Sequence, residues 1–131
     1  MLSQKIYRIV PQVGGPTSSP FGYRVDPVTG AVGAFHEGID IEVPLNTKAP
    51  AVADGTVTFA GWAGGYGNYV EVTMPNGSMY AYGHLNAIFV NVGDTVKKGD
   101  VIALSGSTGK STGPHMHIEY KVNGQAVDPY H

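Results

Sequence analysis

The stretch Tyr69-Val70-Glu71-Val72-Thr73-Met74-Pro75-Asn76-Gly77-Ser78-Met79-Tyr80-Ala81-Tyr82 decides the fold class. Its first six residues put Val70, Val72 and Met74 on one side and Tyr69, Glu71 and Thr73 on the other, the period-2 pattern of a strand. The last five residues return in the same style. Asn-Gly accepts positive φ at both central positions of a reversal, so the segment predicts a β-hairpin with its turn at Pro75-Asn76-Gly77. By the same parity Tyr80, Tyr82 and His84 share a face.

Outward from this hairpin the β signal continues. A second hairpin is expected at Asn123-Gly124, joining residues 117–122 to 125–127. Short β segments fall at 90–92, 95–96 and 101–104, with Gly93-Asp94 and Gly99-Asp100 as turns between them. Helix-length periodicity is missing, and at most a turn or two fits near Leu85–Ile88. Residues 11–20 are rich in Pro, Gly and Ser and read as an irregular lead-in to Phe21-Gly22-Tyr23-Arg24. The predicted fold is mostly β, built on antiparallel sheet with little helix, with residues 1–20 leading into one domain at 21–131.

The bulk composition agrees with one domain. A chain of 131 residues is long enough for a single core, and 42% hydrophobic residues make it globular rather than disordered. A net charge of −2 provides no field for holding nucleic acid. There is no cysteine, which removes disulfides, thiolate ligands and a thiol nucleophile together. The start, Met1-Leu2-Ser3-Gln4-Lys5-Ile6-Tyr7-Arg8, lacks the apolar core of a signal peptide, and no run approaches the ~20 apolar residues of a membrane span. An exported chain of this kind would use another route, or be a domain of a longer or phage-encoded protein.

Four of the five histidines lie in three short strings: His36-Glu37-Gly38-Ile39-Asp40, Tyr82-Gly83-His84-Leu85 and His115-Met116-His117. Imidazole is both the commonest zinc ligand and the commonest acid or base near neutral pH. His115 and His117 point to the same side of a strand, so one can ligate a metal while the other stands beside it. Four extended residues span roughly 13 Å, too far for His36 and Asp40 to share a metal with ligands at ~2.0–2.2 Å. The chain therefore bends between them, and Gly38 supplies the freedom. A helical HExxH reading competes, with Glu37 as base. However, position 40 is Asp, and Gly38 with the run Ile39-Asp40-Ile41-Glu42-Val43-Pro44 opposes a helix, which leaves Glu37 a bystander.

Eight strings, in order, resemble the lysostaphin/LytM-type zinc endopeptidases. They are Phe21-Gly22-Tyr23-Arg24, His36 with Asp40, Gly65-Tyr66-Gly67-Asn68, Tyr82-Gly83-His84-Leu85, Val92-Gly93-Asp94-Thr95-Val96, Gly106-Ser107-Thr108-Gly109, Ser111-Thr112-Gly113-Pro114-His115-Met116-His117 and Val127-Asp128-Pro129. The resemblance implies a zinc metalloendopeptidase domain, with a groove over the central sheet, that cleaves peptide bonds in bacterial peptidoglycan stems or cross-bridges. It implies one zinc ion bound by His36, Asp40 and His117, with water completing the tetrahedron. His84 and His115 are then the unligated pair: His115 is favoured as base with His84 assisting, and the sequence does not separate the two roles.

Tyr23, Arg24, Tyr82 and Asn68 are candidate substrate contacts. The family's tyrosine before the first histidine is replaced here by Gly30-Ala31-Val32-Gly33-Ala34-Phe35, so Tyr23 or Tyr82 would have to supply that donor. The segment Val25–Phe35 is a candidate wall of the groove. The resemblance also implies an extracellular or cell-envelope location and a monomer whose partner is wall peptide. The alternative is a degenerate relative that binds wall peptides or activates another hydrolase without catalysis, but none of the five positions is lost. Two decoys fail. Gly106-Ser107-Thr108-Gly109-Lys110-Ser111 lacks the leading glycine of a P-loop, since position 104 is Leu. The turn at Val92–Asp100 resembles a lipoyl-type carrier but places no lysine at a hairpin tip.

Overall fold

The computed structural model describes residues 17–19, 21–25, 32–36, 38–109 and 113–127, with side chains described at 21–22, 38–109 and 113–127. Its described residues form twelve strands and one single-turn 3₁₀ helix, Gly64–Tyr66. The strands are β1 (Thr17–Ser19), β2 (Gly22–Val25), β3 (Val32–His36), β4 (Ile39–Ile41), β5 (Lys48–Pro50), β6 (Gly55–Trp62), β7 (Asn68–Thr73), β8 (Met79–Ile88), β9 (Thr95–Val96), β10 (Val101–Ser105), β11 (Met116–Val122) and β12 (Gln125–Val127). The main sheet runs β1-β4-β11-β8-β7-β6-β9, with β10 on β8 and β5, and β12 on β11; β2 and β3 form a separate pair. Every pairing is antiparallel.

The alternation read from the sequence holds through the central strands. Cross-strand register aligns Val70 with Tyr82, Val72 with Tyr80 and Ile118 with Tyr82, and it aligns Ile39 with Ile118. These side chains are buried on one face, where they meet Ala49, Ala51, Val52, Val57, Ile102 and Ala103. Each fully buried branched aliphatic there contributes roughly 1.5–3 kcal/mol. Two tyrosines add tethers: the Tyr80 hydroxyl donates to the Ala53 carbonyl at 3.1 Å and the Tyr82 hydroxyl to the Pro50 carbonyl at 2.7 Å. The opposite face carries Asp40, His117, Glu119, Tyr69 and Glu71, with Ala81 and Gly83 between them on β8.

Several local expectations are revised. The first hairpin forms with its loop at Pro75-Asn76-Gly77 as expected, but only Gly77 has positive φ, and the Met74 carbonyl accepts from the Gly77 amide at 2.9 Å. This is a turn led by Pro75 followed by a left-handed glycine, the three-residue alternative to an Asn-Gly reversal. At Asn123-Gly124 both residues do have positive φ (53° and 77°), as a two-residue reversal requires. Residues 85–88 continue β8 and form no helical turn. Within the lead-in expected to be irregular, residues 17–19 form a strand on the edge of β4. Residues 39–41 are extended, which excludes a helical HExxH arrangement; Glu37 itself lies outside the described residues.

Gly38 plays a different part from the one its sequence position implies. The chain bends there, but without positive φ. A Cβ at this position would run into the Ile118 carbonyl oxygen and lie 2.8 Å from His117 Cε1 and 3.0 Å from Glu119 Cγ. Close approach of backbone to β11 is the constraint. Gly38→Ala should therefore lower unfolding free energy by about 2 kcal/mol, the scale of an overpacked site, in urea titrations; a neutral result would show that β4 can move off β11. Tyr82→Phe should cost about 1–2 kcal/mol in the same assay, because the Pro50 carbonyl loses a buried donor.

Candidate active site

The polar face of the sheet assembles the expected residues from three strands. β4 and β11 pair with His117 opposite Asp40, and β11 and β8 pair with His117 opposite Gly83. A Cβ on Gly83 would stand 3.4 Å from His117 Cβ and 3.5 Å from Tyr66 Cδ1, in ordinary van der Waals contact with both, so the two rings close over position 83. His117 Nδ1 lies 2.8 Å from Asp40 Oδ1, and His115 Nε2 lies 4.0 Å from the same oxygen. The shared face of His115 and His117 follows the strand parity.

His84 reaches the same site by breaking that parity. Between Tyr82 and Leu85, β8 has one residue more than its partner β7, since Val70 faces Tyr82 and Asn68 faces Leu85. The bulge puts His84 at φ 58°, a left-handed conformation few non-glycine residues adopt. The His84 ring then stands 4.6 Å from that of His115 and 6.2 Å from that of His117, centroid to centroid. Tyr80 and Tyr82 stay in the core. Tyr82 is thus not a groove donor, contrary to expectation: it is fully buried on the opposite face with its hydroxyl on Pro50.

The glycine-rich strings explain how the bulge is held. The Thr108 hydroxyl donates to the Leu85 carbonyl at 2.7 Å, and Asn68 Nδ2 donates to the same oxygen at 3.1 Å. The Asn68 amide in turn donates to Thr108 Oγ1 at 3.2 Å. Gly67 and Gly109 interlock, since a Cβ on Gly67 would lie 2.5 Å from Thr108 atoms and one on Gly109 would collide with the Gly67 backbone. Asn68, expected as a substrate contact, is placed as a brace between the two turns.

Backbone carbonyls fix the tautomers of both remaining imidazoles. His84 Nδ1 contacts the Thr108 carbonyl at 2.7 Å, and His115 Nδ1 contacts the Gly113 carbonyl at 3.0 Å. A carbonyl only accepts, so each ring carries its proton on Nδ1 and presents Nε2 as a base. Burial pulls the His84 pKa below its ordinary 6.5, against the support of the Thr108 carbonyl. For His117 burial also pulls downward, but hydrogen bonds and charge from Asp40 and Glu119 outweigh it and raise the pKa to about 9.

Glu119 was not among the expected residues. It is 3% exposed and its Oε2 accepts from His117 Nε2 at 2.9 Å and from the Tyr66 hydroxyl at 2.8 Å, while Oε1 accepts from the Tyr69 hydroxyl at 3.1 Å. Burial raises its pKa, but these donors and the His117 charge prevail and lower it. Extending the parity of His115 and His117 by one step reaches it.

Asp40 and His117 are chemically suited to a metal: a proton lies between a carboxylate and an imidazole where a cation would bridge both. Among the described residues no group of three such side chains forms a metal site by itself. The third expected ligand, His36, ends β3 opposite Gly22, and its side chain lies outside the described residues, as do those of Tyr23 and Arg24. Beside His115 a cavity of about 470 Å³ opens, lined by Glu42, Val43, Pro44, Gly113 and Pro114.

Known proteins are similar to this chain in sequence and fold. DD-carboxypeptidase/endopeptidase Mpg of Neisseria meningitidis is 46% identical over 123 residues, covering 94% of this chain and 28% of that protein. Peptidoglycan DD-endopeptidase ShyC of Vibrio cholerae is 40% identical over 106 residues, 81% of this chain and 24% of that protein. The chain spans about a quarter of the length of these curated relatives. A zinc-containing peptidase from Vibrio cholerae superposes with a TM-score of 0.82 at 36% identity, over 89% of this chain and 36% of that one. The catalytic domain of lysostaphin from Staphylococcus simulans superposes at 0.76 and 33% identity, over 88% and 89%. The match to peptidase family M23 covers residues 34–129, which include all three histidine strings and Asp40, and the chain belongs to that family.

Proposed function

We propose that this chain is a zinc endopeptidase that hydrolyses peptide bonds in the stems or cross-bridges of bacterial peptidoglycan. The observation that carries the reading is the convergence of Asp40, His117, His115 and His84, with the last two rings locked as bases by carbonyls. Family M23, the peptidoglycan DD-endopeptidase among the relatives and the zinc-containing structural neighbour support substrate class and metal.

In this reading His36, Asp40 and His117 hold the zinc ion, and His84 and His115 remain unligated. Zinc held there supplies Lewis acidity, polarising the scissile carbonyl and acidifying water. His115 Nε2 takes a proton from the attacking water and returns it to the leaving amine, so one water is consumed as the C–N bond breaks. The Gly113 carbonyl stabilises the imidazolium that forms in between. His84, kept neutral by burial, assists at the neighbouring Nε2. The domain at 21–131 works outside the membrane, on wall peptide, as a monomer. The cavity at Glu42 and Pro114 receives a residue flanking the scissile bond.

Digestion of purified peptidoglycans, read by mass spectrometry with and without a chelator, should give new amino termini only in the metal-loaded reaction; chelator-resistant cleavage would rule the mechanism out. His117→Ala should lose both zinc and turnover, whereas His115→Ala should keep zinc and lose about 10²–10⁴ in rate. Long-range ¹H–¹⁵N spectra should show His84 and His115 as Nδ1–H tautomers, with His84 titrating below 6.5 and neutral at pH 7. A His84 titrating above 6.5 would contradict its burial.

A further inference from the structure

We infer that Glu119, steadied by Tyr66 and Tyr69, is a positioning residue that presents His117 Nδ1 to the metal. The inference rests on the zinc ligation proposed above and adds residues to it that no ligand motif contains. A carboxylate that is 3% exposed carries a large desolvation cost unless donors surround it. Three donors converge on Glu119: the Tyr66 and Tyr69 hydroxyls and His117 Nε2. Because an ionised carboxylate only accepts, both ring nitrogens of His117 donate in the metal-free protein, and the Nε2 proton stays on buried Glu119 when a cation displaces the proton shared with Asp40. The nitrogen left for a cation is Nδ1, 2.8 Å from Asp40 Oδ1.

The surroundings restrict the ring further. Glu119 faces Ala81 across the β8 ladder, a small residue that leaves space above it. The Gly38 backbone is in contact distance of both His117 Cε1 and Glu119 Cγ. Tyr66 packs on the His117 ring at 5.2 Å and 36° and on Tyr69 at 4.9 Å. A ring so held has its orientation set, and with it the nitrogen that gives up its proton, before any cation arrives. A carboxylate behind a ligating imidazole also makes it a stronger donor, and loss of such a partner costs about 10–100-fold in metal affinity.

The test is zinc affinity, measured on the whole chain by competition with a chromophoric chelator. Glu119→Gln keeps shape and removes charge, and should bind zinc about tenfold more weakly with little change in the thermal midpoint of the metal-free protein. Glu119→Ala should lose about 100-fold, and Tyr69→Phe less than either. Long-range ¹H–¹⁵N spectra of the zinc-loaded wild type should show His117 with a proton on Nε2. A Glu119→Gln variant with wild-type zinc affinity, or a zinc-loaded His117 protonated on Nδ1, overturns the inference and leaves the peptidase reading standing. A wild-type chain that binds no zinc overturns both. If Glu119→Ala fails to fold, the near-isosteric Gln variant still decides.

Discussion

Placing a histidine opposite a glycine in the ladder between β11 and β8 is the constraint on which the site depends. The pairing of His117 with Gly83 sets His117 on the polar face of the sheet, and residues of neighbouring strands gather around it. Asp40 enters from β4 and Glu119 comes two residues along β11. A larger residue at position 83 would meet the Tyr66 ring and His117 together. One sheet thereby separates the groups that hold the fold together from those that do chemistry.

The two faces follow different rules for polar atoms. In the core, the Tyr80 and Tyr82 hydroxyls end on backbone carbonyls, and the rings are there for their area. On the other face, Tyr66 and Tyr69 end on a carboxylate that itself ends on an imidazole. Chains of this kind polarise one another in a medium of low dielectric constant, so their members act as a group. Within the described residues no buried side-chain nitrogen or oxygen lacks a partner. A polar network satisfied to that degree gives the sheet one geometry rather than several.

Much of this was legible in the sequence, and the reasons for the rest are specific. Strand parity correctly placed His115 and His117 together, and Asn123-Gly124 correctly marked a two-residue reversal. The same parity misplaced Tyr82 beside His84, because an extra residue in a strand leaves no mark in the pattern of apolar positions. Gly38 drew attention as a flexible link when its role is to admit β11 at close range, a fact about a partner far along the chain. Glu119 escaped notice because a lone acid in an apolar strand looks like a solvated edge until its three donors are seen. His36, Tyr23 and Arg24 remain assignments of the resemblance.

The bulge at Gly83–His84 makes β8 a strand with a phase slip. On the hairpin side of it, odd-numbered residues face the chemistry; beyond it the rhythm is reset, and Leu85 is core. No side-chain substitution can reproduce or repair such a slip, because it is a property of chain length between two fixed pairings. Removing Gly83 would close the bulge and put His84 in the glycine's place opposite His117, out of its present position beside His115. In this domain the count of residues is itself a catalytic specification.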